Sequence, residues 1–146
     1  MPYTARMAAK SYVDHLGALP LFSSCSKREL QRLARAGDEV TKQAGYTFVE
    51  QGDVGREAYV ILEGTAVVKR NGRKIATLGV GDQFGELALL DHGPRTASVV
   101  AETDVTVFVI TARRFRGVLE EVPAIAHKLM AALAARVREL DSRTFG

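Results

Sequence analysis

The chain has 146 residues, 47% of them hydrophobic and 25% charged, with a formal net charge of +3. That composition is globular; it excludes a disordered chain, a collagen-like repeat and a disulfide scaffold, because Cys25 is the single cysteine. The longest apolar runs, such as Val105 to Ile110, fall far short of the ~20 residues that cross a bilayer, so no membrane partner is expected.

Met1 to Met7 shows no apolar stretch behind its positive charge, so no signal peptide is expected. A lone cysteine fits a reducing cytoplasm, the expected location. Residues 10 to 19 and 26 to 36 have helical spacing. Ser26-Lys27-Arg28-Glu29 is a capping-box pattern, in which the hydroxyl and the carboxylate each satisfy a free backbone donor. Leu30, Leu33 and Ala34 then form a one-sided apolar face, and Gly37 closes the helix.

From 45 to 110 the period is two. Nine of the thirteen glycines fall between Gly45 and Gly93, which divides this stretch into short strands. These are Tyr46 to Glu50, Tyr59 to Leu62, Thr65 to Arg70, Arg73 to Leu78, Thr96 to Ala101 and Val105 to Thr111. Asn71-Gly72 is a two-residue hairpin signal. Short strands at roughly ten-residue spacing predict an antiparallel sandwich or jelly roll. Helical spacing then returns: Phe115, Val118 and Leu119 form one stripe, and Pro123 suits the first turn of a helix running from about Ala124 to Asp141. Along that helix Ala126, Met130, Leu133, Val137 and Leu140 form a heptad seam. It fits equally a helix packed on its own sheet and a partner helix. Arg113, Arg114 and Arg116 cluster near a helix and read as a solvated face. The fold class is α+β, one domain over residues 1–146: N-terminal helices to about 38, sheet from 39 to 111, C-terminal helices from 112 to 142.

One stretch is not an ordinary strand connection. Gly81 to Leu90 places a glycine-marked turn before Glu86-Leu87-Ala88-Leu89-Leu90, helix formers with room for about one turn, whose unpaired N–H groups suit an anion. Arg95 follows beyond a Gly-Pro turn, and its guanidinium can hold two phosphate oxygens. Thr96 adds a hydroxyl. Glu86 beside an anion makes sense where the ligand also offers hydroxyl donors, as a ribose does. The trio therefore points to a small sugar-bearing phosphate; the alternative is a Glu86–Arg95 ion pair that pins a loop.

These residues carry a resemblance. Gly85-Glu86-Leu87-Ala88-Leu89-Leu90 followed by Pro94-Arg95-Thr96-Ala97-Ser98-Val99 resembles the phosphate-binding cassette of the cyclic nucleotide-binding domain family. The segment from Glu50 to Gly64 resembles that family's glycine-punctuated strand motif, and the likeness extends over roughly residues 20 to 140. It implies an eight-stranded antiparallel β jelly-roll barrel (a double-stranded β-helix) flanked by N- and C-terminal helices, binding a 3′,5′-cyclic nucleotide. Carried over, Glu86 accepts the ribose 2′-hydroxyl, Arg95 holds the cyclic phosphate, and the N–H groups of Gly85, Leu87 and Ala88 face the ribose–phosphate. Thr96 and Ala97 complete the cassette, while Val68 and Ala76, core positions by default, line the base. Cyclic AMP is the expected ligand. Cyclic GMP competes, because members with threonine or serine at the Thr96 position often tolerate the guanine 2-amino group.

The final helix is then expected to close over the base or to pair with its counterpart in a homodimer. Arg136, Arg138 and Phe145 are candidates to reach the base, with solvent exposure as the alternative. Ala58 departs from the family, which usually has a larger apolar residue there. The expected function is a regulatory sensor acting on an unknown effector, either stand-alone or a piece of a longer protein such as a cyclic nucleotide-dependent transcription regulator. No nucleic-acid partner is expected of this chain alone, since no reading helix follows the last one. A metal-dependent enzyme on the same β architecture would need clustered ligands, and the only histidines are His15, His92 and His127. No enzyme activity and no metal are expected.

Overall fold

The computed structural model describes residues 9–85 and 93–145, with side chains from 12 to 85 and 93 to 141. Helix α1 (Ala9–Ala18) leads through a 3-10 turn (Pro20–Phe22) to α2 (Lys27–Arg35). The capping box forms as its sequence requires: Ser26 N–H donates to Glu29 Oε1 at 2.7 Å, and Glu29 N–H donates to Ser26 Oγ at 3.2 Å. Eight strands follow: β1 (Asp38–Lys42), β2 (Thr47–Val49), β3 (Glu57–Glu63), β4 (Ala66–Arg70), β5 (Arg73–Leu78), β6 (Gln83–Phe84), β7 (Ser98–Ala101) and β8 (Val105–Thr111). Two helices end the chain, α3 (Ala112–Glu121) and α4 (Pro123–Phe145).

The strands form two antiparallel four-stranded sheets, ordered β1-β8-β3-β6 and β2-β7-β4-β5. Strand pairing among the described residues does not close them into one barrel. β5 and β8 coincide with their predicted segments. β1 and β6 were not among the predicted strands. β1 reads Asp-Glu-Val-Thr-Lys, with one apolar residue, because it is an edge strand paired on one side to β8. β6 is two residues long, too short to show a period. At the β4–β5 turn Asn71 and Gly72 have φ of 53° and 78°, the double positive φ of a two-residue hairpin.

Two apolar clusters hold the layers together. One joins the helices to the outward face of β3 and β8, through Leu30, Leu33, Ala58, Phe108, Phe115 and Ile125. The other fills the sandwich between Val49, Ile61, Ala66, Phe84, Val99 and Val107. Ala58 is buried in the first. α4 is anchored by Ile125 and Leu129, one turn apart and at most 2% exposed. Of the seam, Met130, Val137 and Leu140 are exposed, at 58%, 64% and 53%, whereas Ala126 and Leu133 are half-buried. Ile125 and Leu129 form the anchoring face of α4, with the half-buried Ala126 and Leu133 of the seam beside it. Ion pairs fix the helices to one another: Arg32 to Glu121, and Lys128 Nζ to Glu29 Oε1 at 2.5 Å. Arg113, Arg114 and Arg116 lie on an exposed face of α3, where Arg114 pairs with Asp38 at 3.1 Å.

Candidate functional site

Arg95 lies in the strip 93–97 that leads into β7, and the turn after β2 clamps its backbone. Arg95 N–H donates to Asp53 O at 2.7 Å, and its carbonyl accepts Gly52 N–H at 2.8 Å. Val54 and Pro94 form a bridge beside them. The side chain is held as firmly as the backbone. Nη2 donates to Glu57 O at 2.8 Å and Nη1 donates to Gly85 O at 3.2 Å, so both terminal nitrogens of the half-buried guanidinium rest on carbonyls from β3 and from the residue after β6. A carbonyl orients a guanidinium without neutralising it, and among the described residues no carboxylate pairs with Arg95, so its charge and further N–H donors are available to an anion.

Gly85 makes this approach geometrically feasible. Its φ is +75°, and a Cβ there would lie 2.5 Å from Arg95 Nη1 and 2.9 Å from Glu57 O. The floor beneath is aromatic. Tyr59 on β3 lies opposite Phe84 on β6, their rings stacked with centroids 4.7 Å apart, and Phe48 meets both rings edge-on. Burial, aided by the negative Glu57, pushes the Tyr59 hydroxyl up to about 12, and the Arg95 charge opposes that shift. Tyr59 is thus a neutral support at ordinary pH.

The neighbouring wall comes from β4, β5 and β7. Ala66 lies opposite Leu78 and Ala101, and Val68 lies opposite Ala76 and Val99. Ala66, Val99 and Ala101 are core residues, so the two-residue alternation puts Val68 and Ala76 on the same inner face. Burial decays along that face: Ala66 is fully buried, Val68 half-buried and Ala76 exposed. Among the described residues, half-buried Val68 and exposed Ala76 leave apolar surface at this end of the sandwich, which suits a flat ring. A charged guanidinium and an open apolar wall together fit a ligand with an anionic end and an aromatic end.

Of the predicted site residues, Gly85, Arg95, Val68 and Ala76 have the positions just described. Ala97 is half-buried before β7, and Thr96 is exposed with its carbonyl accepting Arg70 Nε at 3.1 Å. Glu86, Leu87 and Ala88, with the helical turn expected over 86–90 and the alternative Glu86–Arg95 ion pair, lie outside the described residues. Arg136 and Arg138 are exposed on α4; the side chain of Phe145 lies outside the described residues. The carbonyl and N–H groups that position Arg95 went unread in the sequence, where Gly85 was read only for an N–H facing the ligand. Glu57, Gly85, Gly52 and Asp53 act through backbone atoms, which carry no side-chain signature; the clue was the glycine spacing of the 50–64 motif. No cluster of three or more His, Cys, Asp or Glu suited to a metal occurs among the described residues. No helix of the described residues is long and apolar enough to cross a membrane.

Comparison with known proteins gives this geometry relatives. The family model of the cyclic nucleotide-binding domain matches residues 39–122. The cAMP-dependent protein kinase regulatory subunit of Schizosaccharomyces pombe is 40% identical over 102 residues, a match covering 69% of this chain and 24% of that one. The cyclic AMP receptor protein of Thermus thermophilus is 32% identical over 127 residues, covering 84% of this chain and 59% of that one. Among solved structures, the N-terminal domain of a transcriptional regulator from Streptomyces coelicolor superposes with a TM-score of 0.83 at 33% identity, over 88% of this chain and 96% of that one. The chain thus spans 24% and 59% of the two curated relatives it matches here.

Proposed function

The chain belongs to the cyclic nucleotide-binding domain family, and from that premise we propose that it is a non-catalytic regulatory module that binds cyclic AMP and signals by repositioning its helices. The observation that carries this reading is the Arg95 guanidinium, held by Glu57 O and Gly85 O. Its remaining donors suit the exocyclic oxygens of a cyclic phosphate. Glu86 accepts the ribose 2′-hydroxyl, the N–H groups of Gly85, Leu87 and Ala88 face the ribose–phosphate with Thr96 and Ala97 alongside, and the purine lies on Val68 and Ala76. Cyclic GMP is the competing ligand, through the Thr96 hydroxyl.

Residues 1–146 form a single domain in this reading, and the sheet orders 1-8-3-6 and 2-7-4-5 support a jelly roll. The exposed Met130 and Val137 support a homodimer through α4. The module works in the cytoplasm on an effector protein. The similarity to the Thermus receptor protein and the Streptomyces regulator favours a second reading, the sensor segment of a transcription regulator.

Calorimetric titration with cyclic AMP, cyclic GMP and non-cyclic AMP tests the assignment. A cyclic form alone binds at micromolar concentration or tighter. Arg95→Ala weakens it by about 2–5 kcal/mol, as for truncation of a buried charge-assisted contact, while circular dichroism stays native. Unchanged affinity in a folded Arg95→Ala variant refutes the site.

A further inference from the structure

We propose that Gln51 and Arg70 are positioning residues that staple the β4–β5 hairpin to the Arg95 strip, setting the spacing between base wall and phosphate-holding guanidinium; this rests on the nucleotide reading above. The β4–β7 ladder ends at Lys69 opposite Ser98, and the hairpin tip projects beyond it. Past that point side chains continue the tie. Gln51 Nε2 donates to Asn71 Oδ1 at 2.9 Å, and Asn71 N–H donates to Gln51 Oε1 at 2.8 Å. The backbone N–H of Gln51 donates to Ser98 Oγ at 2.8 Å, and Arg70 Nε donates to Thr96 O at 3.1 Å.

The Gln51 amide is engaged at both its donor and its acceptor end, so its orientation is fixed. Its neighbour Gly52 holds the Arg95 carbonyl, and Arg70 grips the residue after Arg95. Each of these exposed bonds is weak alone. Together they join three segments: the turn after β2, the hairpin that carries Val68 and Ala76, and the strip that carries Arg95. A ligand that bridges two subsites gains from both at once when their separation is held. Loosening the staple therefore penalises a nucleotide in proportion to how much its base uses the wall.

Cyclic AMP and cyclic CMP are titrated against wild type, Gln51→Ala, Arg70→Ala and Arg70→Lys. Cyclic AMP weakens about fivefold to tenfold in the two alanine variants, and cyclic CMP, whose smaller ring covers less of the wall, weakens less than about twofold. Arg70→Lys, which retains a donor for Thr96 O, recovers most of the loss. Equal weakening of both nucleotides, or of neither, overturns the proposal. Should Gln51→Ala fail to fold, Asn71→Gly keeps the positive-φ turn and removes one bond of the pair, and the same selectivity change is expected on a smaller scale. Arg95→Ala in the same series separates the two readings. If it binds like wild type, the nucleotide site and the staple fall together; if it alone is impaired and the base preference never moves, only the staple falls.

Discussion

Gly85→Ala probes the Arg95 anchor with a single methyl group. Two effects are superimposed. The φ of +75° costs any L-residue about 1–2 kcal/mol, which for a domain of this size lowers Tm by about 2–8 °C. Separately, the new Cβ would sit 2.5 Å from Arg95 Nη1, where ordinary contact begins near 3.4 Å, so the guanidinium must retreat by about 1 Å and give up the 3.2 Å bond to Gly85 O. A misplacement of that size costs up to about 10²-fold where geometry is exacting, so cyclic AMP affinity should fall about 10- to 100-fold, or about 1.4–2.8 kcal/mol. Gly45→Ala is the control: its φ is +93°, and nothing lies within 4 Å of its added Cβ. Gly85→Ala should lose more Tm than Gly45→Ala, because its Cβ also meets the Glu57 carbonyl at 2.9 Å, and calorimetry should show an affinity loss in Gly85→Ala alone. If Gly85→Ala binds cyclic AMP as tightly as Gly45→Ala does, the carbonyl cradle is not what positions Arg95.

Three further outcomes follow from the packing and the charges. Ile125→Ala should cost about 2–5 kcal/mol in chemical denaturation, as for a fully buried aliphatic side chain, whereas Val137→Ala should stay within about 0.5 kcal/mol; equal losses would mean that the seam is part of the core. Lys128 and the Ser26 N–H hold the Glu29 carboxyl below its ordinary value of 4.5, so the stability it contributes is present above that pH and is lost as pH falls below it through the lowered value of the folded state. Lys128→Met should therefore flatten the acid limb of a Tm-against-pH curve, and an unchanged limb would remove the pair from the account. Tyr59 is raised from 10.0 to about 12, so its contribution is present below pH 10 and is lost as pH climbs towards 12; Tyr59→Phe should make that alkaline loss shallower and leave Tm near pH 7 almost unchanged.

Legibility in the sequence followed the physical nature of each signal. The capping box, the Asn71-Gly72 hairpin and strands β5 and β8 were readable because a local pattern determines each of them. β1 escaped because an edge strand pairs through its backbone and tolerates Asp, Glu, Thr and Lys as side chains. The heptad spacing drew attention to Met130 and Val137, while the packing that orients α4 came from Ile125 and Leu129, a four-residue step too short to dominate a periodicity count. At the site, Arg95 stood out by its chemistry. The groups that aim it did not, because a backbone carbonyl is the same in every residue and only the fold decides where it points.

That division between a charged side chain and backbone partners has a functional logic. Had a carboxylate been the anchor, the guanidinium would be oriented at the expense of its charge, and an incoming phosphate would have to displace a full negative group. Among the described residues Arg95 is gripped by two dipoles instead, so little reorganisation is needed when an anion arrives. The same carbonyls also tie the site to the fold. Glu57 belongs to the strand whose next residue, Ala58, packs in the helix-facing cluster, and Gly85 follows the strand whose Phe84 packs in the sandwich. The two carbonyls that hold Arg95 thus come from segments packed on opposite sides of the β1-β8-β3-β6 sheet. One of those sides packs against the helices, through Ala58 and its neighbours in the helix-facing cluster.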